Sequence, residues 1–530
     1  MNQRCIALAA LVLAGPALAA CSGSGGNKGP RDFAVDGAFS VAVDSDPGDL
    51  NPLVTNLVNA QIVGMYSYDT LISLDTKTSE PQPFLAESWT ESPSEVTYTL
   101  RNDITCADGT SFTAQTAADN LNWILDPVNQ SPRLESVVPS DATVTAEGNV
   151  LKVTTTKPRS SMLYDLGGQQ MVCEGALADP TSVSAGSDGT GPFVIDKIVA
   201  GDSITLTRRD GYTWGPKDST SSTPGMPKTV TIKIVPSPST RANLLLSGQL
   251  NAAMVSGNDE ARLSQLDWQP SPAISGMITY NHLEGLPTAA TEVRTALTQA
   301  IDLDTLTNVL TGGKGERASS LLTEEPSLCT YNSVEGTLPT YDGEAAARTL
   351  EAAGYTSGAG GVRTKDGKAL QITLVYDNST DTRSAAAEYV AKQWKSLGAE
   401  VTLQGGDESY VISSTFSSED PSRWTATLGL NLQSGAPGVF PQYLTGPTAP
   451  EGTNFASIRN DDYARHAALA VGLTGDAACG EWAKAEEALF KSVDLIPVSV
   501  TPFKMYFNGA ESVSQPAGGI LPGSAIRVLK

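Results

Sequence analysis

Six cysteines and two histidines are the side chains through which this chain could do covalent or metal chemistry. Cys106, Cys173, Cys329 and Cys479 lie in its body, and Cys5 and Cys21 at its start. Four body cysteines in an exported chain predict two disulfides, with three pairings open. A zinc site is not expected, because the cysteines are far apart and only His282 and His466 could complete a ligand set. The sequence holds no HExxH, no GxSxG and no Walker A pattern. Thr311-Gly-Gly-Lys314 has the wrong spacing for a phosphate loop, and Gly358-Ala-Gly-Gly361 reads as a turn. Nothing promotes a Ser-His-Asp arrangement, and His282, in Tyr280-Asn-His282, reads as a structural strand residue. The expectation is a non-enzymatic chain with no metal and no cofactor, whose function is binding.

Export is itself read from the N-terminus. Arg4 precedes an apolar run from Ile6 to Ala14 and the small residues Leu18-Ala-Ala, the pattern of a secretory signal over residues 1–20. Cys21 directly behind Leu18-Ala-Ala resembles a bacterial lipobox. That implies a lipidated Cys21 at the mature N-terminus and an extracytoplasmic protein anchored to the cell membrane. Several acyl chains at about 0.8 kcal/mol per buried CH₂ would make the anchor lasting. Residues 21–33, rich in Gly and Ser, read as a flexible tether. No later apolar run approaches the roughly 20 residues of a membrane span. The formal net charge is −23 at pH 7, and excision of residues 1–20 removes Arg4 but no acid. Such a charge disfavours nucleic acid and anionic headgroups as partners.

The elements that would position a site are legible in the hydrophobic periods. Val96, Tyr98 and Leu100 alternate with Thr97, Thr99 and Arg101, as in a half-buried strand. Asp108-Gly109 predicts a turn. Thr113 is placed to cap a helix in which Ala117, Leu121, Ile124 and Leu125 share one face, with Pro127 ending it. Ala386, Val390, Trp394 and Leu397 form another helical stripe, with Trp394 read as core, ahead of a strand at Glu400–Leu403. Strands and helices mixed along the chain predict α/β architecture. About 510 residues after the signal exceed one core, so two or three domains are expected.

Three blocks carry a resemblance. Pro81-Gln-Pro-Phe-Leu-Ala-Glu-Ser-Trp89, Thr97-Tyr-Thr-Leu-Arg101 and Ala107-Asp-Gly-Thr-Ser-Phe-Thr-Ala114 precede a helical segment with Asn120, Leu121, Trp123 and Leu125. In that order they resemble the signature of the peptide/nickel-type (family 5) solute-binding proteins of ABC importers. Asp46-Pro-Gly-Asp-Leu-Asn-Pro52, Gly189-Thr-Gly-Pro-Phe193 and Val293-Arg-Thr-Ala-Leu-Thr-Gln-Ala-Ile-Asp302 extend the likeness over nearly the whole mature chain. The resemblance implies an α/β, two-lobed periplasmic-binding-protein type II-like fold with an extra subdomain in the first lobe and a two-strand hinge. Lobe 1 is expected over 34–281 plus 496–530, with an inserted subdomain at 76–188, and lobe 2 over 282–495. The hinge crossings fall near Tyr280 and Pro497. Pairing Cys106 with Cys173 and Cys329 with Cys479 keeps each disulfide inside one such lobe, at about 4–5 kcal/mol of loop entropy each.

The same resemblance implies capture of a small solute, a short peptide by default, and delivery by a monomer to the permease and ATPase subunits of an ABC importer. Ligand contacts are expected at Asp46, Pro47 and Gly48 in lobe 1, at Tyr280 and Asn281 by the hinge, and at Asn431, Gln433, Ser434 and Gly435 in lobe 2. The chain departs from the peptide-binding pattern there. Gln433 stands where peptide-binding relatives carry an aspartate for the ligand ammonium, and Leu430 where they carry tryptophan. A buried ammonium without a carboxylate is costly. A neutral Gln433 therefore suits a ligand without a free amino terminus, unless Asp46, Asp407 or Glu408 supplies the charge. The alternatives are a glycoside or metal chelate as ligand, or an envelope scaffold or regulatory lipoprotein that has left transport.

Overall fold

The computed structural model describes residues 31–530 apart from 56, 76–77, 179–187, 324–326, 417, 419, 433, 449–451 and 515–520. Residues 1–20, Cys21, most of the tether and Gln433 lie outside the described residues. The predicted strand, turn and helix form as their patterns require. Strand Glu95–Leu100 buries Val96, Tyr98 and Leu100. Thr113 Oγ1 accepts the Thr116 N–H at 3.2 Å, and Thr116 Oγ1 accepts the Thr113 N–H at 3.4 Å, a reciprocal capping box. The helix Ala114–Leu125 then buries Ala117, Leu121 and Ile124. It covers a sheet ordered Ala86–Ser92, Glu95–Leu100, Val150–Thr154, Thr143–Glu147. Cys106 and Cys173 are disulfide-bonded within this core, which also takes in Tyr68, Tyr212 and Trp214.

Among the described residues the largest sheet has eleven strands. Ten of them are β1 (Ala38–Val43), β2 (Phe193–Val199), β3 (Ser203–Arg208), β4 (Thr229–Ile234), β5 (Ala252–Met254), β6 (Asp267–Tyr280), β7 (Gln371–Asp377), β8 (Glu400–Gly406), β9 (Ala426–Leu428) and β10 (Leu495–Phe507). Their order is β8-β7-β9-β6-β10-β5-β1-β4-β3-β2. The centre is a long antiparallel ribbon of β6 and β10, paired from Asp267 opposite Phe507 to Thr279 opposite Leu495. One end of the ribbon carries β5, with Met254 opposite Met505. The other carries β9, with Ile278 opposite Leu428. The register slips between Ile274 and Gly276 and again between Gly276 and Met277, midway between the two half-sheets.

Each half-sheet has its own core. Phe39, Val41, Phe193, Ile232 and Phe507 pack together in the first. Ile278, Tyr280, Leu297, Trp394 and Ile496 pack together in the second. A further second-half core gathers Trp424, Phe455, Trp482 and Phe490 beside the disulfide of Cys329 and Cys479. The fold is thus two-lobed α/β, and both disulfides have the pairing expected from the resemblance. At the irregular centre of the ribbon, a Cβ on Gly276 would strike Leu310 Cδ2, so glycine is what lets that leucine close over the strand.

Candidate functional site: a cleft at the strand ends

β1 runs parallel to β4, and β7 runs parallel to both β8 and β9. The carboxyl ends of parallel strands leave a crevice, the usual place for a ligand in α/β sheets. In the first lobe that crevice is a cleft of about 420 Å³ lined by Asp44, Asp46, Val58, Arg241, Met254 and Phe503 among others, within the size range of small-molecule sites.

Local chemistry shapes its walls. Asp46 Oδ1 accepts the Gly48 N–H at 2.9 Å, closing an Asx turn in which Gly48 takes φ +67°. Asp46 Oδ2 accepts the Gly201 N–H at 3.0 Å from the β2–β3 turn. Asn59 Nδ2, on the helix Val58–Ser67, donates to Asp44 Oδ1 at 2.9 Å and to the Ser45 carbonyl at 3.0 Å. Opposite them stand the end of β5 and the Phe503–Met505 stretch of β10. Lys504 Nζ pairs with Glu260 Oε2 at 3.2 Å and lies 4.7 Å from the Trp268 ring centroid. Arg241, in the first turn of the helix Pro238–Leu246, donates through Nε to the Met254 carbonyl at 2.8 Å. Its Nη1 donates to the carbonyls of Val235 at 2.7 Å and Pro236 at 3.0 Å.

The second-lobe loop after β9 is braced rather than free. Ser434 bridges to Leu322, and the Gly435 carbonyl accepts the Leu328 N–H at 2.7 Å. Segment 321–333 is in turn tied to the helix Gly475–Lys491 by the disulfide of Cys329 and Cys479. Glu486 of that helix accepts the Leu321 N–H at 3.1 Å, the Tyr331 hydroxyl at 2.9 Å and the Ser333 hydroxyl at 2.7 Å. Burial raises the Glu486 carboxyl to about 7 against these three donors. Asn431 Oδ1 is buried with no partner among the described residues. The Ser327 N–H reaches across to Ser79 Oγ at 2.8 Å.

The expected contact residues are therefore only partly assembled. Asp46 lines the cleft with Pro47 and Gly48 in its turn, and Ser434 and Gly435 sit on the braced loop with Asn431. Tyr280 and Asn281 do not reach the cleft, because the second-lobe core consumes their polar groups. Tyr280 Oη lies 3.1 Å from Thr298 Oγ1, and Asn281 Nδ2 donates to the carbonyls of Pro421 at 2.7 Å and Trp424 at 3.0 Å. His282 follows them into that core, with Nε2 3.7 Å from Asp494 Oδ1. Burial and the nearby Arg294 push His282 down to about 3. Asp407 caps the helix Glu408–Ser414 through the Tyr410 N–H at 2.9 Å. Leu430 is core. Arg241 and Phe503 escaped the sequence reading. The only hint was a basic residue on the apolar side of a short helix, and nothing local ties position 503 to position 46.

The chain matches the family model described as bacterial extracellular solute-binding proteins, family 5 Middle, over residues 80–453. It is 27% identical over 396 residues to the nickel-binding periplasmic protein of Escherichia coli K12, covering 69% of this chain and 71% of that one. A substrate-binding protein from Microbacterium hydrocarbonoxydans, solved with 4-hydroxybenzoate hydrazide, superposes with a TM-score of 0.67 at 25% identity, covering 93% of this chain and 99% of that one. The ABC transporter substrate-binding protein CtaP from Listeria monocytogenes gives a TM-score of 0.79 at 18% identity, covering 94% and 100%.

Proposed function

Since the chain belongs to family 5 of the bacterial extracellular solute-binding proteins, we propose that it closes its two lobes on a small solute, a short peptide by default, and delivers it to the permease and ATPase subunits of an ABC importer. The observation that carries this reading is the common ribbon. Both half-sheets direct the carboxyl ends of parallel strands toward the crevice beside it, and the ribbon loses its register between them. A hinge at 274–277 of β6 and 497–500 of β10 would let the lobes swing as bodies, with Tyr280 and Asn281 moving with the second. An extended ligand could pair its backbone with the Asp46–Gly48 turn and the Ser434–Gly435 segment, which gives affinity with little sequence preference.

One observation favours a ligand without a free ammonium. Asp46 and Asp407, two of the acids that could replace the missing aspartate, already accept backbone N–H groups. The relatives point the same way in breadth, since one is named for nickel and another was solved with an aromatic hydrazide.

The test is thermal unfolding of the purified protein against di- to hexapeptides, their N-acetylated forms, aromatic hydrazides, sugars and metal chelates. A ligand at 100 times its Kd should add about 2.7 kcal/mol. Stabilisation by free peptides that acetylation removes would establish a peptide importer with a substitute acid. Stabilisation by acetylated peptides or another class would move the substrate and give Gln433 its meaning. A protein that answers none of them yet captures a membrane protein would instead be a scaffold or regulator. We further propose that lipid on Cys21 holds the protein at the membrane face. Cys21→Ala should move it from the membrane pellet to the soluble extracytoplasmic fraction, and retention in the pellet would refute the anchor.

A further inference from the structure

Arg241 has more hydrogen-bond donors than the protein uses. A guanidinium carries five N–H donors and is charged at every physiological pH. Three of the five go to the carbonyls of Met254, Val235 and Pro236. The two on Nη2 have no partner among the described residues, and Arg241 is a lining residue of the cleft, with only 8% of its surface exposed. The other charges in that lining are already answered. Lys504 pairs with Glu260, Asp46 accepts two backbone N–H groups, and Asp44 accepts from Asn59. Among the described residues no carboxylate forms an ion pair with Arg241.

Asp44 favours the Arg241 charge without a direct contact, so a largely buried cation lacks a bonded carboxylate; an incoming carboxylate would supply one while forming charge-assisted hydrogen bonds. Much of the rest of the lining is apolar, with Ser45, Asn59 and Ser256 between. Leu57, Val58 and Phe503 are 55%, 56% and 43% exposed, with Ile62 and Met505 behind them. Large apolar side chains left open around a cleft are a binding surface in want of an apolar body.

We propose that Arg241 anchors a carboxylate of the captured solute through Nη2, so that this cleft selects small acids with an apolar body. The inference rests on solute capture but is narrower than it, since it fixes the charge of one end of the ligand and leaves the remainder open. Arg241 holds the loop at Val235–Pro236 and the end of β5 in position as well, so its backbone-facing nitrogens and its ligand-facing nitrogen have separate tasks.

The experiment is isothermal titration of the purified full-length protein with matched acid and amide probes. Suitable pairs are leucyl-leucine and leucyl-leucinamide, N-acetylleucine and its amide, and 4-hydroxybenzoate and 4-hydroxybenzamide. At least one acid should bind roughly tenfold or more tightly than its amide, as a hydrogen bond to a charged group is worth. Arg241→Lys should bring the acid-to-amide ratio toward one. Because that change also removes carbonyl contacts, Val58→Glu serves as the second variant. It adds a negative charge to an exposed lining position and should weaken acids several-fold more than it weakens their amides. Equal binding of acid and amide, or binding of amides alone, overturns the anchor and leaves solute capture standing. An acid preference untouched by both variants also overturns it. Silence of every acid overturns it too, and if the amides and the wider ligand panel are silent as well, solute capture fails with it.

Discussion

Glu486 is held by three donors from one segment, yet its carboxyl stays near 7, because complete burial outweighs the hydrogen bonds. The folded chain therefore binds this proton more tightly than the unfolded chain, whose glutamate titrates at about 4.5. Its contribution to stability is fully present below about 4.5 and is lost as pH rises through about 7. Asp69, Asp165 and Asp494, each raised to about 6 by burial, act in the same sense. His282 acts in the opposite sense, losing stability as pH falls below 6.5 toward about 3. Glu486→Gln isolates one group. Relative to this variant, the wild type should lose ~1–3 kcal/mol between pH 4.5 and 7.5 in denaturant melts. A difference that stays flat across that window would refute the assignment. Glu486 was invisible in the sequence, since its partners come from tertiary packing, and nothing local marks Arg241 as a cleft residue. The partners of Glu486 lie in segment 321–333, more than a hundred positions away. Thr113 was legible because its capping partner is three residues on, and Trp394 because its helical stripe is periodic.

At the scale of elements, hydrophobic period carried the reading well for strand Glu95–Leu100 and helix Ala114–Leu125. Leu121 is completely buried in the core beneath that helix. Leu121→Ala should lower stability by ~2–5 kcal/mol in a urea melt with little change in slope. The sequence places a hinge crossing near Tyr280, and we propose it at 274–277 of β6. Alternation at Ile278 and Tyr280 says that one face is buried but not against which core, and the register slip at Gly276 has no signal beyond a glycine. That glycine is testable. Gly276→Ala would drive a methyl into Leu310 and should cost ~1–3 kcal/mol of stability. Relieving the clash with a second change, Leu310→Ala, should recover part of the penalty in a double-mutant cycle. Simple additivity of the two changes would argue against the contact.

At the scale of the molecule, the two lobes are in contact beyond the shared ribbon. Lys314, just after the second-lobe helix Leu303–Thr311, pairs with Glu260 of the first lobe at 3.2 Å, and Ser327 reaches Ser79. Among the described residues no helix is long and apolar enough to cross a membrane. The architecture was legible because family blocks recur in order along the chain. The cleft was not, because its lining is drawn from β1, the helix Val58–Ser67, the helix Pro238–Leu246, β5 and β10, segments more than 400 positions apart at their extremes.

The two disulfides join cysteines that are consecutive in the sequence, Cys106 to Cys173 and Cys329 to Cys479. In a chain threaded outward from its N-terminus, the first pair meets while the second is still inside. An oxidase that joins the four body thiols in order of arrival would produce the native bonds with no need for reshuffling, provided Cys5 and Cys21 take no part. β10 arrives almost last and completes the sheet of both lobes. A chain threaded out in this way would carry two lobes already cross-linked correctly, and the final strand would join them into one sheet.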